Sequence, residues 1–410
     1  VTETISIETL GAKGDGIGRG AGGLAYVPYS LPGERVLARR SGQRATIEEI
    51  ELASPERRDA PCPHFTLCGG CELQHASPAV YSAFKRDLVI EAYRRVSIET
   101  EVQPLVPCAP ASRRRAVFSA VRAGPRLMFG FHEAMSNRIV PIETCLVVVP
   151  EIVAAFEPLR RLSSLMLDRK GETRLTVAAT GQGLDVAIET GAKLNDKTRA
   201  AAISATAAAG IARLSVNGEI LIEYARPMIM AGTIPVSFPP GGFLQAVASA
   251  ETAMAELVTG HMTGLKTVAD LFSGIGTFAL RLARNHATHA VESDAPALAV
   301  MDQARRVANG LKPLTAERRD LFRRPLTRKE LSRFEGVVFD PPRAGAEAQA
   351  IELAASSVQR VAAVSCNPLT LARDVKLLLD GGFRLVSTTP IDQFLWSHHV
   401  EAVALLVRDK

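Results

Sequence analysis

From about residue 241 onward, short apolar segments alternate with amphipathic ones: KTVADLF, ATHAVES, GVVFDPP, RVAAVSCNP, then FRLVSTT and VEAVALLVR. Apolar strands separated by helix-length segments predict a parallel sheet covered by helices on both faces, an α/β unit. The start of the chain is built differently. TISIETL and GLAYVPY flank GAKGDGIGRGAGG, and LPGERVLARR and RATIEEIEL follow. Short alternating strands with glycine-rich turns predict a small β-barrel. After the linker SPERRDAP and a cysteine cluster, SPAVYSAFKRDLVIEAYRRV reads as a helix with Ser77 as cap and Pro78 at its first position. Between residues 102 and 240, strands (RLTVAAT, LDVAIET) mix with an Ala-rich helical stretch around Lys193–Ala209, and IPVSFPPGGFLQ marks a boundary. The expected division is a barrel over residues 1–55, an α+β central domain over 56–240 and the α/β domain over 241–410. The helix near residues 77–96 is expected to pack on the last of these despite its place in the chain.

Composition excludes several classes. The chain has 410 residues, 47% of them hydrophobic, and a net charge of +5, too apolar and too weakly charged for a mainly disordered chain. No apolar run approaches the roughly 18–20 residues of a membrane span, and VTETISIETLGAKGDGIGRG lacks the basic and apolar regions of a signal peptide. Six cysteines in 410 residues do not make a disulfide-stapled scaffold. A cytoplasmic protein without membrane association is expected. Arginine is unevenly placed: residues 102–142 hold six against one acid, including Arg113, Arg114 and Arg115, and residues 303–333 hold ten basic groups against three acids. Guanidinium groups fork onto phosphates, so these segments suit a nucleic-acid backbone; an ordinary solvated surface is the plainer reading.

CPHFTLCGGC places Cys62, Cys68 and Cys71 at C-x5-C-x2-C, with Gly69 and Gly70 between the last two. The glycines allow a fold tight enough for three thiolates to converge, and Cys108 and Cys145 are the downstream candidates for a fourth. Four thiolates suit an iron–sulfur cluster or zinc, which spacing does not distinguish; three unrelated buried thiols are the plain alternative.

TVADLFSGIGTFALRLA reads as strand, glycine turn and helix, with Gly274 and Gly276 allowing close backbone approach to a ligand. The third glycine of a pyrophosphate cradle is missing. Asp270 precedes the turn, where it would repel phosphate and attract a cationic amino-acid head, and Glu292 ends the next strand, where an acid binds ribose hydroxyls. Paired acids at this spacing suit S-adenosylmethionine better than a dinucleotide. Two further strand ends point into the same crevice: Asp340 before two prolines, and Cys366 before Asn367 and Pro368. A thiol there would sit beside the cofactor, although an inert buried cysteine and a turn-forming acid are the plain alternatives. Glu401 begins or interrupts an apolar run; His398 and His399 are set aside as loop histidines.

CPHFTLCGGC, DLFSGIGTF, DPPR, SCNP and HHVEAVALL, in this order, together resemble the RNA (uracil-5-)-methyltransferases, and within them the iron–sulfur-containing ribosomal RNA group (RumA/RlmD-like). The resemblance spans nearly the whole chain. It implies a Rossmann-like S-adenosylmethionine methyltransferase domain, an N-terminal RNA-binding TRAM-like barrel, and a [4Fe–4S] cluster on Cys62, Cys68, Cys71 and Cys145, leaving Cys108 spare. It further implies Cys366 as nucleophile, Glu401 as general base and Asp340 as the substrate-contacting acid. The cofactor contacts are placed on Gln245, Asp270, Phe272, Gly274, Gly276, Glu292, Asp320 and Asp340. Val247 stands where the family commonly has Asn, so any contact from that Asn is missing. The expected activity is uridine C5 methylation of structured RNA, 23S ribosomal RNA foremost, through a Cys–C6 adduct by a monomer. The alternatives are a nucleic-acid amino-methyltransferase using the D-P-P motif, although Arg343 stands where such enzymes usually place an aromatic, and a non-catalytic metal-containing RNA-binding protein.

Overall fold

A computed structural model describes residues 1–167 and 171–408. Strands Thr2–Leu10, Gly16–Gly20, Gly23–Val27, Arg35–Ser41 and Arg44–Leu52 close into a barrel in the order first, second, third, fifth, fourth. Alternate residues Ile5, Ile7, Ala25, Val27, Val36, Ala38 and Ala45 fill its interior, which is why TISIETL alternates. Closure needs glycine where strands press together: a Cβ on Gly18 would lie 2.2 Å from the Ser6 carbonyl oxygen. Glu34, 1% exposed, ties the barrel to the following linker through Arg57.

The central region is a seven-stranded sheet in the spatial order Glu219–Glu223, Arg213–Val216, Gly183–Glu189, Thr173–Thr180, Arg115–Ala123, Arg126–His132, Ile139–Pro141. Helices Phe156–Leu165 and Asp196–Ala208 cover one core, built on Phe118, Phe129, Phe156, Leu175 and Val186. The cysteine loop docks at the sheet's edge. Its Gly69 N–H donates to the His132 carbonyl at 2.9 Å, and a Cβ there would lie 2.8 Å from the Ala134 amide nitrogen, so no larger residue fits without moving the loop.

The helix Pro78–Arg94 is capped by Ser77, whose hydroxyl accepts the Val80 N–H. It packs on the C-terminal domain. Val89, Ala92 and Tyr93 join that domain's core, the Tyr93 and Thr388 hydroxyls meet at 2.8 Å, and Lys85, fully buried, is held by Asp392 and the carbonyls of Phe394 and His399.

The C-terminal sheet has seven strands in the order Leu314–Arg318, Ala287–Glu292, Thr267–Leu271, Gly336–Phe339, Arg360–Ser365, Glu401–Val407, Arg384–Ile391. Six share one direction, and Glu401–Val407 alone among the seven runs antiparallel to both its neighbours. The all-parallel expectation is thereby corrected: the strand before it returns through a loop at the same end of the sheet, so no crossover restores its direction. Among the described residues, no helix is long and apolar enough to cross a membrane.

Candidate active site

The reversed strand builds the site. Parallel strands deliver Phe272, Glu292, Asp340 and Cys366 at or just beyond their carboxyl ends. Ser365 pairs with Ala402 in antiparallel register, so Cys366, one residue on, lies across from Glu401, one residue before. An acid at the start of an antiparallel strand thus reaches the same crevice as residues at the ends of parallel ones.

Four side chains form one chain of hydrogen bonds there. The Gln245 amide donates to Asp340 Oδ2 at 3.0 Å and its oxygen accepts from Gln393 Nε2 at 3.0 Å. Gln393 Nε2 also donates to Glu401 Oε2, while Gln393 Oε1 accepts the Ala246 N–H. Gln245, Gln393 and Glu401 are buried; Asp340 keeps part of its surface open. Sequence reasoning missed Gln393, since a loop glutamine next to an aspartate carries no pattern.

Among the described residues, no basic side chain offsets the charge of the site's three acids. Burial pushes Asp340 up to about 7. Burial and then the Asp340 charge hold Glu401 well above the usual carboxylate range, and burial holds Asp270 there too, against the Ala279 N–H that Asp270 Oδ2 accepts at 2.7 Å. Asp270 Oδ1, Glu401 Oε1 and Ser273 Oγ are buried without a hydrogen-bond partner. Burial raises the Cys366 thiol to about 11, the Glu401 and Asp340 charges add to this, and Arg343 opposes it. Unpaired buried acids are costly, so this crevice is suited to a cationic ligand.

The cofactor-side residues surround the same crevice. Phe272 has φ 61, Gly274 φ 54 and Gly276 φ 92. A Cβ on Gly276 would lie 2.7 Å from Met301, so the turn is pressed onto the helix Ala295–Val307. Glu292 accepts the Gly274 N–H at 2.9 Å and the Ser293 and Asp294 N–H groups. The Phe272 and Phe322 rings are 5.4 Å apart. Asp320 is exposed, and its Oδ1 accepts the Phe322 N–H at 3.0 Å. Val247, 2% exposed, lies in the core before the helix Ala248–Met262 and supplies no side-chain cap.

Cys366 opens onto a cleft of about 960 Å³ between barrel, helix and C-terminal domain, lined by Lys13, Arg94, Arg95, Arg343, His398 and His399 among others. A neighbouring cavity of about 400 Å³ is lined by Cys62, Cys68, Cys71 and Cys145 and shares Arg343, His398 and His399 with the cleft. All six cysteines are free. Burial raises Cys68 to about 11 and Cys71 to about 12 and pushes Cys145 upward, with neighbouring thiols adding to each. Among the described residues no group of three Cys, His, Asp or Glu is placed to hold a single metal ion. Cys108 lies elsewhere, packed between hydrophobic clusters.

One expectation about charge is corrected. The run Arg113–Arg115 is not a solvated phosphate surface. Arg114 pairs with Glu251 and donates to the Gln245 carbonyl, Arg115 donates to the Gly242 carbonyl, and Arg113 donates to the Arg115 carbonyl and lies over the Phe394 ring. These half-buried guanidinium groups tie the central sheet to the C-terminal domain. In the second arginine-rich segment, Arg323 and Arg324 are exposed, whereas Arg319 is held by Glu317 and Glu330.

Comparison with known proteins agrees with this architecture. The profile of the tRNA (Uracil-5-)-methyltransferase family matches residues 233–409. An RNA methyltransferase of Brucella suis biovar 1 (strain 1330), itself described as uncharacterized, is 50% identical over 409 residues, covering 100% of this chain and 99% of the relative. The 23S rRNA (uracil(1939)-C(5))-methyltransferase RlmD of Shewanella sp. (strain MR-4) is 30% identical over 426 residues, covering 98% and 95% respectively. The crystal structure of the Pyrococcus abyssi tRNA (uracil-54, C5)-methyltransferase in complex with S-adenosyl-L-homocysteine shares the fold with a TM-score of 0.76 at 24% identity, over 98% of this chain and 99% of that one. Full-length likeness at these identities, joined to a sheet that brings an acid, a thiol and a second acid to one crevice, makes this chain an enzyme of the RNA (uracil-5-)-methyltransferase family.

Proposed function

We propose that the protein methylates C5 of a uridine in 23S ribosomal RNA through a covalent adduct on Cys366. The observation that carries this reading is the convergence of Cys366, Asp340 and Glu401 on one crevice, where the buried carboxyls have no basic partner among the described residues. S-adenosylmethionine supplies the methyl group on a sulfonium centre. Its ammonium and sulfonium charges suit Asp270 and the acids around it, its ribose hydroxyls suit Glu292, and its adenine suits the Phe272–Phe322 pair with Asp320 at the rim. The glycine turn at Gly274 and Gly276 and the Gln245 amide complete the set.

Uracil C5 is a poor nucleophile. The Cys366 thiolate adds to C6, the ring becomes an enolate, and C5 takes the methyl group. The bound positive charge and Arg343 favour this thiolate against its raised pKa. Asp340 accepts the uracil N3–H, holding the ring and discriminating against cytosine. Glu401 then removes the C5 proton, the C5–C6 double bond re-forms, and the thiolate departs with the electron pair of the C6–S bond. The target base must leave its stack to present C6, so it is flipped or lies in a loop.

The same reading makes the barrel (residues 1–55) a TRAM-like RNA-binding module and residues 241–410 the methyltransferase domain. Residues 56–240 form a central unit that holds a [4Fe–4S] cluster on Cys62, Cys68, Cys71 and Cys145. Four thiols line one cavity, a donor set that suits such a cluster; its proposed use is to position RNA. Lys13, Arg94 and Arg95 on the cleft wall would meet RNA phosphates. The protein is proposed to act as a cytoplasmic monomer. The test supplies a methyl-labelled donor with transcripts of 23S rRNA or tRNA and digests the products to nucleosides. The expected label is 5-methyluridine from 23S rRNA; label confined to tRNA overturns the target, and label on an exocyclic amine overturns the chemistry.

A further inference from the structure

We propose that Gln393 is a positioning residue that sets the polarity of the two active-site acids and thereby aims Glu401 at the proton it must remove. This rests on the covalent reading above and extends it to a residue with no assigned role.

The polarity follows from groups whose roles are fixed. The Ala246 backbone N–H can only donate, so the Gln393 atom it meets at 3.2 Å is the amide oxygen. The other end of that amide is then NH₂, which only donates. Its two hydrogens go to Gln245 and to Glu401. Gln245 must therefore accept with its oxygen and present its own NH₂ to Asp340 Oδ2. Each link forces the next, and the chain ends on one defined oxygen of each acid.

Two consequences follow. Glu401 Oε2 is committed as an acceptor, so a proton taken from C5 goes to Oε1, the oxygen that is buried without a partner. Asp340 Oδ2 is likewise committed, leaving Oδ1 for the base. Gln393 is 2% exposed, and both its N–H hydrogens and its amide oxygen are engaged, so it cannot rotate without breaking several hydrogen bonds. Its backbone is held too: the neighbouring Asp392 carboxylate is bound by Tyr81, Lys85 and the Phe394 N–H, and the Asp392 N–H donates to Val106.

The step that depends most on this arrangement is the last one. Glu401 takes the C5 proton, the C–H electron pair forms the C5–C6 double bond, and the C6–S pair leaves with Cys366. Addition of Cys366 and transfer of the methyl group do not call on Glu401. Asp340 keeps its direct hydrogen bond from Gln245 when Gln393 is lost, whereas Glu401 loses its partner, so elimination should slow selectively, while a merely structural role would lower every step together.

The test compares wild type with Gln393→Met, which keeps the volume and removes the donors. Gln393→Glu, which keeps the shape, is read in the same way should the first variant fold poorly. Two substrates are used with S-adenosylmethionine. Tritium release from [5-³H]uridine RNA reads the whole cycle, and the rate of adduct formation with 5-fluorouridine RNA reads the steps before proton removal. The expected result is a fall of about 10–100-fold in tritium release with adduct formation within about threefold of wild type, and a methylated protein–RNA adduct that persists on ordinary uridine RNA. Equal losses in both assays, or no loss in either, overturn the role of Gln393 alone. A wild type that releases tritium but never forms the fluorouridine adduct overturns the covalent reading on which it rests.

Discussion

At the strand ends, Asp340 and Glu401 are held by two glutamine amides that leave one oxygen of each carboxyl for a ligand. In the adjoining cavity, Cys68 is hydrogen-bonded by the Gly70 backbone, Cys71 by the Gln74 side chain and Cys145 by the Val147 and Val148 backbone. Both regions bury groups that resist ionisation, with Arg113 and Arg343 lining the thiol cavity and Arg343 beside Cys366. The acids carry their own scaffold, so their geometry exists before a ligand arrives; the proposed cluster would complete the arrangement of the thiols. On the proposed reading, the first region is preorganised for a reaction and the second would be completed by a resident group.

This contrast can be broken most sharply at Cys366. Replacing it with Ala should lower tritium release from [5-³H]uridine RNA at least about a thousandfold, because the nucleophile has no substitute nearby. Glu401→Gln should cost about 10²–10⁴-fold and leave a methylated protein–RNA species visible on a denaturing gel, since the steps before elimination survive. A loss without that species would contradict the separation of nucleophile from base.

The thiol cavity should respond in stability rather than in cofactor affinity. Cys145→Ser is expected to lose bound iron and absorbance near 400 nm, and to lower Tm by about 5–10 °C. S-adenosylhomocysteine affinity by calorimetry should change by less than about threefold, as expected for separate sites. The smallest effect concerns pH. Asp340 is raised from 3.8 to about 7, so the folded protein holds a proton that the unfolded chain has released over that interval. Its contribution to stability is therefore present in acid and lost as pH rises from about 4 through 7. The ligand-free protein should lose about 2–5 °C in Tm between pH 5.5 and 8, and Asp340→Asn should flatten that slope.

Much of the site could be read from linear motifs because a parallel strand announces itself as an apolar run ending in a functional residue. Asp270, Asp340 and Cys366 all lie at such ends. Strand direction carries no such mark: VEAVALLVR is equally apolar either way, so the reversal that brings Glu401 opposite Cys366 appeared only in the pairing register. Charge runs misled for a related reason. Arg113–Arg115 look like a phosphate surface in sequence, yet Glu251 and three backbone carbonyls hold them inside an interdomain seam. Gln393 was invisible because its role lies in partners far apart along the chain, Gln245 and Ala246 on one side and Glu401 on the other. His398 and His399, set aside as loop residues, form part of the wall between cleft and cavity, with His399 beside Arg343 and His398 beside Glu72.

The central claim is that Cys366 forms a bond to uracil C6 during methylation. Its most direct test incubates the protein with S-adenosylmethionine and 23S rRNA in which the target uridine is replaced by 5-fluorouridine, whose fluorine cannot leave as a proton. A stable RNA–protein species should form, and peptide mass mapping should place a methylated fluorouridine on Cys366. Methylation of unmodified RNA by the same preparation, with no adduct or with the adduct on another residue, would contradict it.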